Sequence, residues 1–151
     1  MKATILPILL SAAVLLAAAR SEFRYWSTDQ LRDTESHLSS QEKGGFTTLA
    51  DFGTHNVMLA VRHGNGQAEL HEHMADVFVV RAGNATLVTG GEMAGAKTTA
   101  PGEQRGSSIT GGSRQALAPG DVVHIPAGLP HQLLMKDGDT FSYLVVKAAE
   151  K

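Results

Sequence analysis

Histidines and carboxylates are the residues of this chain best suited to chemistry, and several of them lie close together. His71 and His73 flank Glu72 in the segment His-Glu-His. Side chains two apart on a β-strand point to the same side, so a strand here would direct both imidazoles toward one ion and Glu72 away from it. Neutral imidazole binds zinc, copper, iron or nickel well. The pair predicts a metal site, with exposed or core histidines as the alternative.

Two histidines alone hold a metal weakly, and the sequence offers two further ligands. Asp76 follows His73 after a short turn, and His131 follows residues 126–130, whose prolines and glycine would turn the chain and aim the imidazole. Three histidines and one carboxylate would leave one or two open positions on a five- or six-coordinate ion, as metal-assisted chemistry requires. The spacing differs from the helical His-Glu-x-x-His of metalloproteases.

Four more residues are candidates for binding or catalysis around this ion. Asp76 or Glu103 would serve as a catalytic base, and Arg62 would bind a substrate carboxylate through its guanidinium fork. Phe78 shares the predicted face of Asp76 and would line the pocket, and His124 would support substrate binding from a nearby strand. An exposed arginine, core packing of Phe78 and a histidine on a barrel wall are the alternatives for the last three.

Composition excludes several classes of function. The 151 residues contain no cysteine, so disulfides, cysteine-ligated zinc, iron–sulfur clusters and a thiol nucleophile are excluded. The net charge is −2 and no block of basic residues occurs, which argues against nucleic acid as a partner. The length suits one domain with its own core.

The first 45 residues read as a targeting signal followed by a helix. Residues 1–19 combine Lys2, an apolar run and small residues before Arg20, as in a secretory signal peptide. We therefore expect a periplasmic or secreted protein with no stable membrane insertion after cleavage; an uncleaved anchor is the alternative. Within the helical segment, residues 20–45, Ser27 and Gln30 form a capping-box pattern that predicts an amphipathic helix over residues 28–43.

From residue 46 onward the hydrophobic pattern has the period of a β-strand. Short strands separated by turn signals predict an all-β domain over residues 46–151, built as a sandwich or small barrel. The predicted strands cover residues 57–61, 68–71, 77–80, 85–89, 115–117, 122–125, 132–135 and 141–146. Residues 90–112 are rich in glycine and poor in apolar residues, which predicts a surface loop or a functional lid.

Two segments resemble the motifs of the cupin superfamily. Gly66, His71, His73, Asp76 and Gly83 are similar to the first motif, which has a glycine, His-x-His, a carboxylate, six residues and a glycine. Residues 120–131 resemble the second motif, with a glycine, Pro-x-Gly and a histidine at matching intervals. Asp76 departs from the pattern, because the family usually has glutamate three or four residues after the histidine pair and here two residues intervene.

The resemblance implies a single jelly-roll β-barrel with a divalent transition metal (iron, manganese, nickel, copper or zinc) in its mouth. It also implies pairing through sheet edges as a homodimer, and a small molecule as ligand or substrate. We expect a metal-dependent oxygenase or other oxidoreductase acting on a small organic molecule. A non-catalytic ligand-binding module and a metal-dependent isomerase or lyase remain alternatives, because one fold hosts many chemistries.

Overall fold

The structure is a computed structural model that describes residues 23–150, so the predicted signal peptide lies outside the described residues. One helix precedes a series of strands that pair antiparallel throughout. The elements are α1 (Thr28–Ser39), β1 (Gly44–Asp51), β2 (His55–Arg62), β3 (Ala68–His71), β4 (Met74–Ala82), β5 (Ala85–Thr89), β6 (Glu92–Ala94), β7 (Lys97–Ala100), β8 (Glu103–Gly106), β9 (Ser108–Thr110), β10 (Ser113–Leu117), β11 (Val122–Ile125), β12 (His131–Leu134) and β13 (Phe141–Ala149).

Helix α1 begins where the sequence predicts and ends earlier. Ser27 accepts a hydrogen bond from the Gln30 amide, and the Gln30 side chain accepts one from the Ser27 amide, which forms the predicted capping box. The helix ends at Ser39 rather than at residue 43. After Leu38 no apolar side chain remains to pack against the domain, and the Ser40 hydroxyl donates to the His37 carbonyl at the helix end.

Two antiparallel sheets face each other and enclose the main core. One has the strand order β1-β2-β13-β4-β11, and the other has the order β10-β5-β12-β3-β8-β7. Side chains between the sheets form the largest buried cluster, which includes Phe78, Leu87, Ile125, Phe141 and Tyr143. This arrangement confirms the predicted all-β architecture with one N-terminal helix, since alternating strands bury one face of each sheet against the other.

The outer face of each sheet also carries a small apolar cover. Leu31 and Leu38 of α1 pack on Leu59 and Val61, which point outward from β2 while Met58 and Ala60 point inward. A two-stranded ribbon of β6 and β9 covers the other sheet, where Ala68, Val88 and Ile109 are buried together. Helix α1 and the ribbon thus bury apolar side chains on the outer faces of the sheets, which stabilises both sheets.

Residues 90–112 form strands, whereas the sequence predicted a loop or a lid. Strand β8 pairs with β3, Glu103 lying opposite His71 and Arg105 opposite Glu69, so this segment extends the six-stranded sheet. The strands are short and largely exposed, which explains their weak hydrophobic pattern. Gly106 permits the close approach of the ribbon, because a Cβ there would lie 2.8 Å from the Ala94 carbonyl oxygen.

Between residues 23 and 150, no helix combines the length and the apolarity that crossing a membrane requires.

Candidate metal centre

Strand β3 supplies two of the three side chains that form the candidate metal centre. Glu69 and His71 are two residues apart on this strand and therefore point to the same side. The His71 Nε2 atom lies 3.5 Å from a carboxylate oxygen of Glu69. Both face the interior between the sheets, where His71 is almost completely buried.

Strand β12 supplies the third side chain. His131 is the first residue of β12 and lies directly opposite Glu69 in the strand pair. One ligand atom from each of Glu69, His71 and His131 lies within 4.8 Å of the others, and we call these three residues the donor cluster. The 126–130 turn aims His131 as predicted, because the Leu129 carbonyl accepts a hydrogen bond from His131 Nδ1 at 3.1 Å and leaves Nε2 facing the cluster.

The structure does not bring His73 into the donor cluster. Strand β3 ends at His71, and His73 lies in the turn before β4 with 79% of its side chain exposed. The expectation of one continuous strand through His71 and His73 therefore fails, and the alternation that would align their side chains stops at His71.

Asp76 does approach the donor cluster from β4, but a lysine engages it. An Asp76 carboxylate oxygen lies 3.4 Å from His71 Nε2 and 3.6 Å from His131 Nε2. Lys147 lies opposite Asp76 on β13, and its Nζ is 2.8 and 3.0 Å from the two Asp76 oxygens. The same Nζ is 2.7 Å from His71 Nε2.

Glu103 orients His71 from the other side of its ring. The Glu103 carboxylate lies 2.6 Å from His71 Nδ1, and Arg105 donates to the same carboxylate oxygen at 3.0 Å. With Nδ1 bound to Glu103, Nε2 is the nitrogen that faces Glu69 and Asp76. Glu103 therefore touches the donor cluster through the imidazole, in the way that carboxylates support metal-binding histidines.

Charge and burial shift the pKa values of these groups in opposite directions. Burial alone would raise the pKa of Glu69, but hydrogen bonding to His71 and the charge of Arg105 outweigh it and lower that pKa to about 2. Burial would lower the pKa of His71, but hydrogen bonds to Asp76 and Glu69 raise it to about 9. Burial lowers the pKa of His131. Glu69 thus stays ionised, the raised pKa of His71 favours its protonated form, and the lowered pKa of His131 favours its neutral form.

The donor cluster opens onto a cavity of about 290 Å³. Phe78 lines it, as the sequence predicts, and Arg62, Met58, Tyr143 and Lys147 line it as well. The Arg62 Nε donates to the Tyr143 hydroxyl at 2.8 Å, and an Arg62 nitrogen lies 3.6 Å from Glu69. The cavity therefore combines an apolar wall with a guanidinium group near the donor cluster.

His124 lies away from this cavity. It is exposed on β11, on the side opposite to that of the buried core residue Ile125. The expectation that His124 contributes to substrate binding is not supported by this placement, because alternate residues of β11 face opposite sides and His124 faces outward.

Glu150, the residue that follows β13, links the two turns that flank the site. The Glu150 carboxylate accepts a hydrogen bond from the Ala127 amide at 2.6 Å, within the turn that precedes His131. The Glu150 amide donates to the His73 carbonyl at 2.9 Å, within the turn that follows His71.

Comparisons with known proteins define the fold. No family model matches the sequence, and no curated protein matches it. Among solved structures, a cupin-2 domain from Rhodospirillum rubrum is similar over 70% of this chain and 60% of its own, with 19% identity and a TM-score of 0.51. The chain has a cupin fold. The TT1209 protein from Thermus thermophilus has the same fold, with 20% identity over 73% of this chain and 87% of its own and a TM-score of 0.52.

A third similar structure is that of a lyase. The DMSP lyase DddQ from Ruegeria pomeroyi is 18% identical over 69% of this chain, with a TM-score of 0.49. This chain spans only 46% of the length of that lyase. Identities this low extend to the fold and not to the reaction.

The cupin fold also explains how the first motif lies on this chain. With Glu69 and His71 as the paired ligands, four residues separate His71 from Asp76 and six separate Asp76 from Gly83. This alignment removes the short interval that the pairing of His71 with His73 left before Asp76.

The donor cluster suits a divalent transition metal in composition and spacing. Ligands bound side by side at about 2.1 Å lie roughly 3 Å apart, close to the 3.5 Å between Glu69 and His71 Nε2. Two imidazoles and a carboxylate form a ligand set that iron, manganese, nickel, copper and zinc accept. The Lys147 ammonium opposes a metal here, because it is itself a cation and contacts both His71 Nε2 and Asp76.

Sequence reasoning missed Glu69 and Lys147. The strand alternation that paired His71 with His73 also places Glu69 on the face of His71, and the structure ends the strand at His71. Lys147 lies two and four residues after Val145 and Tyr143, which line the cavity, and the same alternation predicts that it faces inward. The pattern of apolar residues alone does not reveal a charged residue that faces inward, so Lys147 was missed.

Proposed function

We propose that this protein binds a divalent transition metal through Glu69, His71 and His131 and acts as an oxygenase or related oxidoreductase on a small organic molecule. The observation that carries the proposal is the convergence of one carboxylate and two imidazoles within 4.8 Å beside a cavity. Two histidines and one carboxylate with open positions are typical of non-haem iron(II) oxygenases.

The neighbouring residues fix the ligands in place before a metal binds. Glu103 holds His71 at Nδ1 and the Leu129 carbonyl holds His131 at Nδ1, so each ring presents Nε2 to the same space. A bound metal would supply open positions at which a substrate oxygen or O₂ is polarised. Because the rings are already oriented, little conformational freedom is lost on binding.

The cavity limits the substrate to a small molecule with an acidic group. Its volume of about 290 Å³ holds roughly ten water molecules. Arg62 would bind a substrate carboxylate through the nitrogens that Tyr143 leaves free, and Phe78 and Met58 would cover the apolar part of the molecule.

A metal-dependent isomerase or lyase is the second candidate, and a specific observation favours it. The Tyr143 hydroxyl and the Lys147 ammonium both line the cavity, and each can transfer a proton at a substrate carbon or oxygen. Proton transfer without an external oxidant is the essential step of those reactions. A protein that binds the small molecule and does not convert it is the third outcome.

Metal content tests the site itself. We expect close to one transition metal per chain in protein purified without added metal, measured by elemental analysis. A His131→Ala variant should lose it, and a His73→Ala variant should retain it because that side chain is exposed. If neither the purified protein nor protein titrated with iron(II), manganese or zinc binds metal, the proposal is wrong.

Oxygen uptake separates the reaction classes. Iron-loaded protein should consume O₂ with one member of a panel of small carboxylates, diketones, catechols and sulfur compounds. Product formation without O₂ consumption supports the isomerase or lyase. Saturable binding of a panel compound without turnover supports the binding module and contradicts an enzyme.

A further inference from the structure

Lys147 occupies an unusual place for a lysine, because its ammonium lies inside the candidate metal centre. It projects from β13 on the same face as Tyr143 and Val145, into the space between the sheets. Its Nζ contacts both oxygens of Asp76 and the Nε2 atom of His71, at distances of 2.7 to 3.0 Å. The Asp76 side chain is only 3% exposed, so this ion pair is nearly closed to solvent on the carboxylate side.

The position of this ammonium is the position that a metal needs. A metal bound to His71 Nε2 and Asp76 would lie about 2.1 Å from each atom, in the space that Nζ fills. An ammonium and a divalent ion that close together repel strongly in a buried site. The two cations therefore exclude each other.

We propose that the Lys147 ammonium is an internal cation that occupies the metal position and must be displaced when a divalent metal binds. It thereby weakens metal affinity, and its charge offsets that of the buried Asp76 carboxylate when no metal is bound. This inference rests on the proposed metal site and adds a competitor to it.

Compared with Arg62 and Arg105, Lys147 is the cation that can withdraw from the donor cluster. Its side chain is 20% exposed, and its flexible four-carbon stem lets the ammonium withdraw toward the cavity opening. Arg62 is held by Tyr143, and Arg105 is held by Glu103 and by the Gln104 carbonyl. Once Lys147 withdraws, both Asp76 and His71 become available to the metal.

Zinc binding to wild-type protein and to a Lys147→Met variant tests the inference without any activity assay. Dissociation constants for Zn²⁺ alone should be measured by equilibrium dialysis at one fixed pH. Removal of the internal cation should tighten zinc binding by about tenfold or more. Lys136→Met, which removes an exposed lysine, should leave the affinity unchanged. Adding His131→Ala to Lys147→Met should abolish binding, which locates the zinc.

Two further measurements cover the case in which Lys147→Met fails to fold. Lys147→Gln keeps a donor for Asp76 and should also tighten zinc binding. In wild-type protein, saturating Zn²⁺ should increase acetylation of Lys147 severalfold relative to Lys136, as read by mass spectrometry, because the displaced ammonium reaches solvent.

These outcomes distinguish a failure of the proposal for Lys147 from a failure of the proposed metal site. Equal or weaker zinc affinity in both Lys147 variants, with His131-dependent binding in wild type, overturns the role of Lys147 and leaves the metal site standing. Binding that appears only in the variants supports the competitor and contradicts a resident metal in the wild-type protein. No His131-dependent binding in any variant overturns both.

Discussion

Glu69 and His73 are each two positions from His71, yet their surroundings differ completely. Glu69 remains on β3, where strand alternation holds it beside His71, and its pKa is lowered to about 2 after the opposing effect of burial is overcome by His71 and Arg105. His73 falls past the strand end and is exposed. The strand ends at His71, so Glu69 faces the donor cluster and His73, in the turn that follows, does not.

This difference predicts opposite effects of two matched substitutions. Glu69→Gln keeps the size of the side chain and removes the charge that a metal ligand requires, so zinc affinity should fall by at least about tenfold. His73→Gln should leave it unchanged. Equilibrium dialysis of both variants against Zn²⁺ measures the contrast, and a larger loss in His73→Gln would mean that the site lies on the other side of His71.

Glu103 has a separate effect that acts through His71. Glu103→Gln weakens the hydrogen bond that fixes the imidazole, so zinc affinity should fall by about 10- to 100-fold while the binding stoichiometry stays the same. Glu72→Gln is the control, because Glu72 is half-exposed and contacts Gln104 rather than His71. Equal affinities in the two variants, measured by calorimetry, would remove the positioning role of Glu103.

The sequence pointed to single candidate residues more readily than to their partners on other strands. His71, His131 and Asp76 were predicted because each belongs to a motif of known chemistry. Glu69 and Lys147 belong to the site through pairing across strands, Glu69 with His131 and Lys147 with Asp76. Such pairing depends on the register between distant segments, which no local pattern contains.

At the scale of elements, the turns set the register of the strands. Gly83 joins β4 to β5 with a φ of 76°, and a Cβ there would overlap the Thr140 carbonyl oxygen. Gly53 has a similar φ of 82°, but nothing lies within 4 Å of the position a Cβ would take. The two positions therefore differ in crowding and not in backbone conformation.

We expect Gly83→Ala to destabilise the domain much more than Gly53→Ala. Gly53→Ala should cost about 1 kcal/mol, which is the strain of a positive φ alone. Gly83→Ala should cost about 3 kcal/mol or more, because the carbonyl must also move. Urea unfolding gives both values, and equal losses would show that the turn adapts to the extra methyl group.

The attachment of α1 to the barrel predicts a dependence of stability on pH. Glu35 of α1 accepts hydrogen bonds from Arg81 and Ser142 on the neighbouring sheet. Burial raises the pKa of Glu35, but these hydrogen bonds outweigh burial and lower it below 4.5. A carboxyl with a lowered pKa stabilises the fold above its ordinary pKa, and this contribution disappears as pH falls through the lowered value.

Glu35→Gln should therefore lower the free energy of unfolding by about 1 to 2 kcal/mol at pH 7. The difference from wild type should shrink once the pH falls below about 4.5. Asp29→Asn, which removes an exposed ion pair with Arg32, should have a much smaller effect at either pH. Denaturant titrations at both pH values measure this, and a difference that persists at low pH would contradict the assigned cause.

Strands could be predicted where buried and exposed residues alternate along the chain, and not where all residues of the strand are exposed. Strands β3, β5 and β11 have the bounds that the sequence predicts, because apolar residues and turn signals delimit them. Strand β7 is exposed at every position, so it has no alternation to detect. Its hydrogen bonds to β8 hold it in place, and those depend on tertiary structure.

At the scale of the whole molecule, the described part of the chain wraps two sheets around one core and covers both outer faces. The resemblance of residues 120–131 to a cupin motif implied this fold, because the glycine, prolines and histidine stand at the intervals of that motif. Secretion and dimer formation stay predictions. N-terminal sequencing should find a mature protein that begins near residue 20, and light scattering should give twice the mass of one chain.

The hydrogen bonds of Glu150 link the two turns that flank the ligands, although Glu150 itself contacts no ligand side chain. The rate at which a bound ion escapes should therefore respond to this remote position. A Glu150→Ala protein, which lacks the acceptor for the Ala127 amide, should release zinc faster in a stopped-flow chelator assay while retaining the ligand residues. The residue after β13 would then set the residence time of the ion without contacting it.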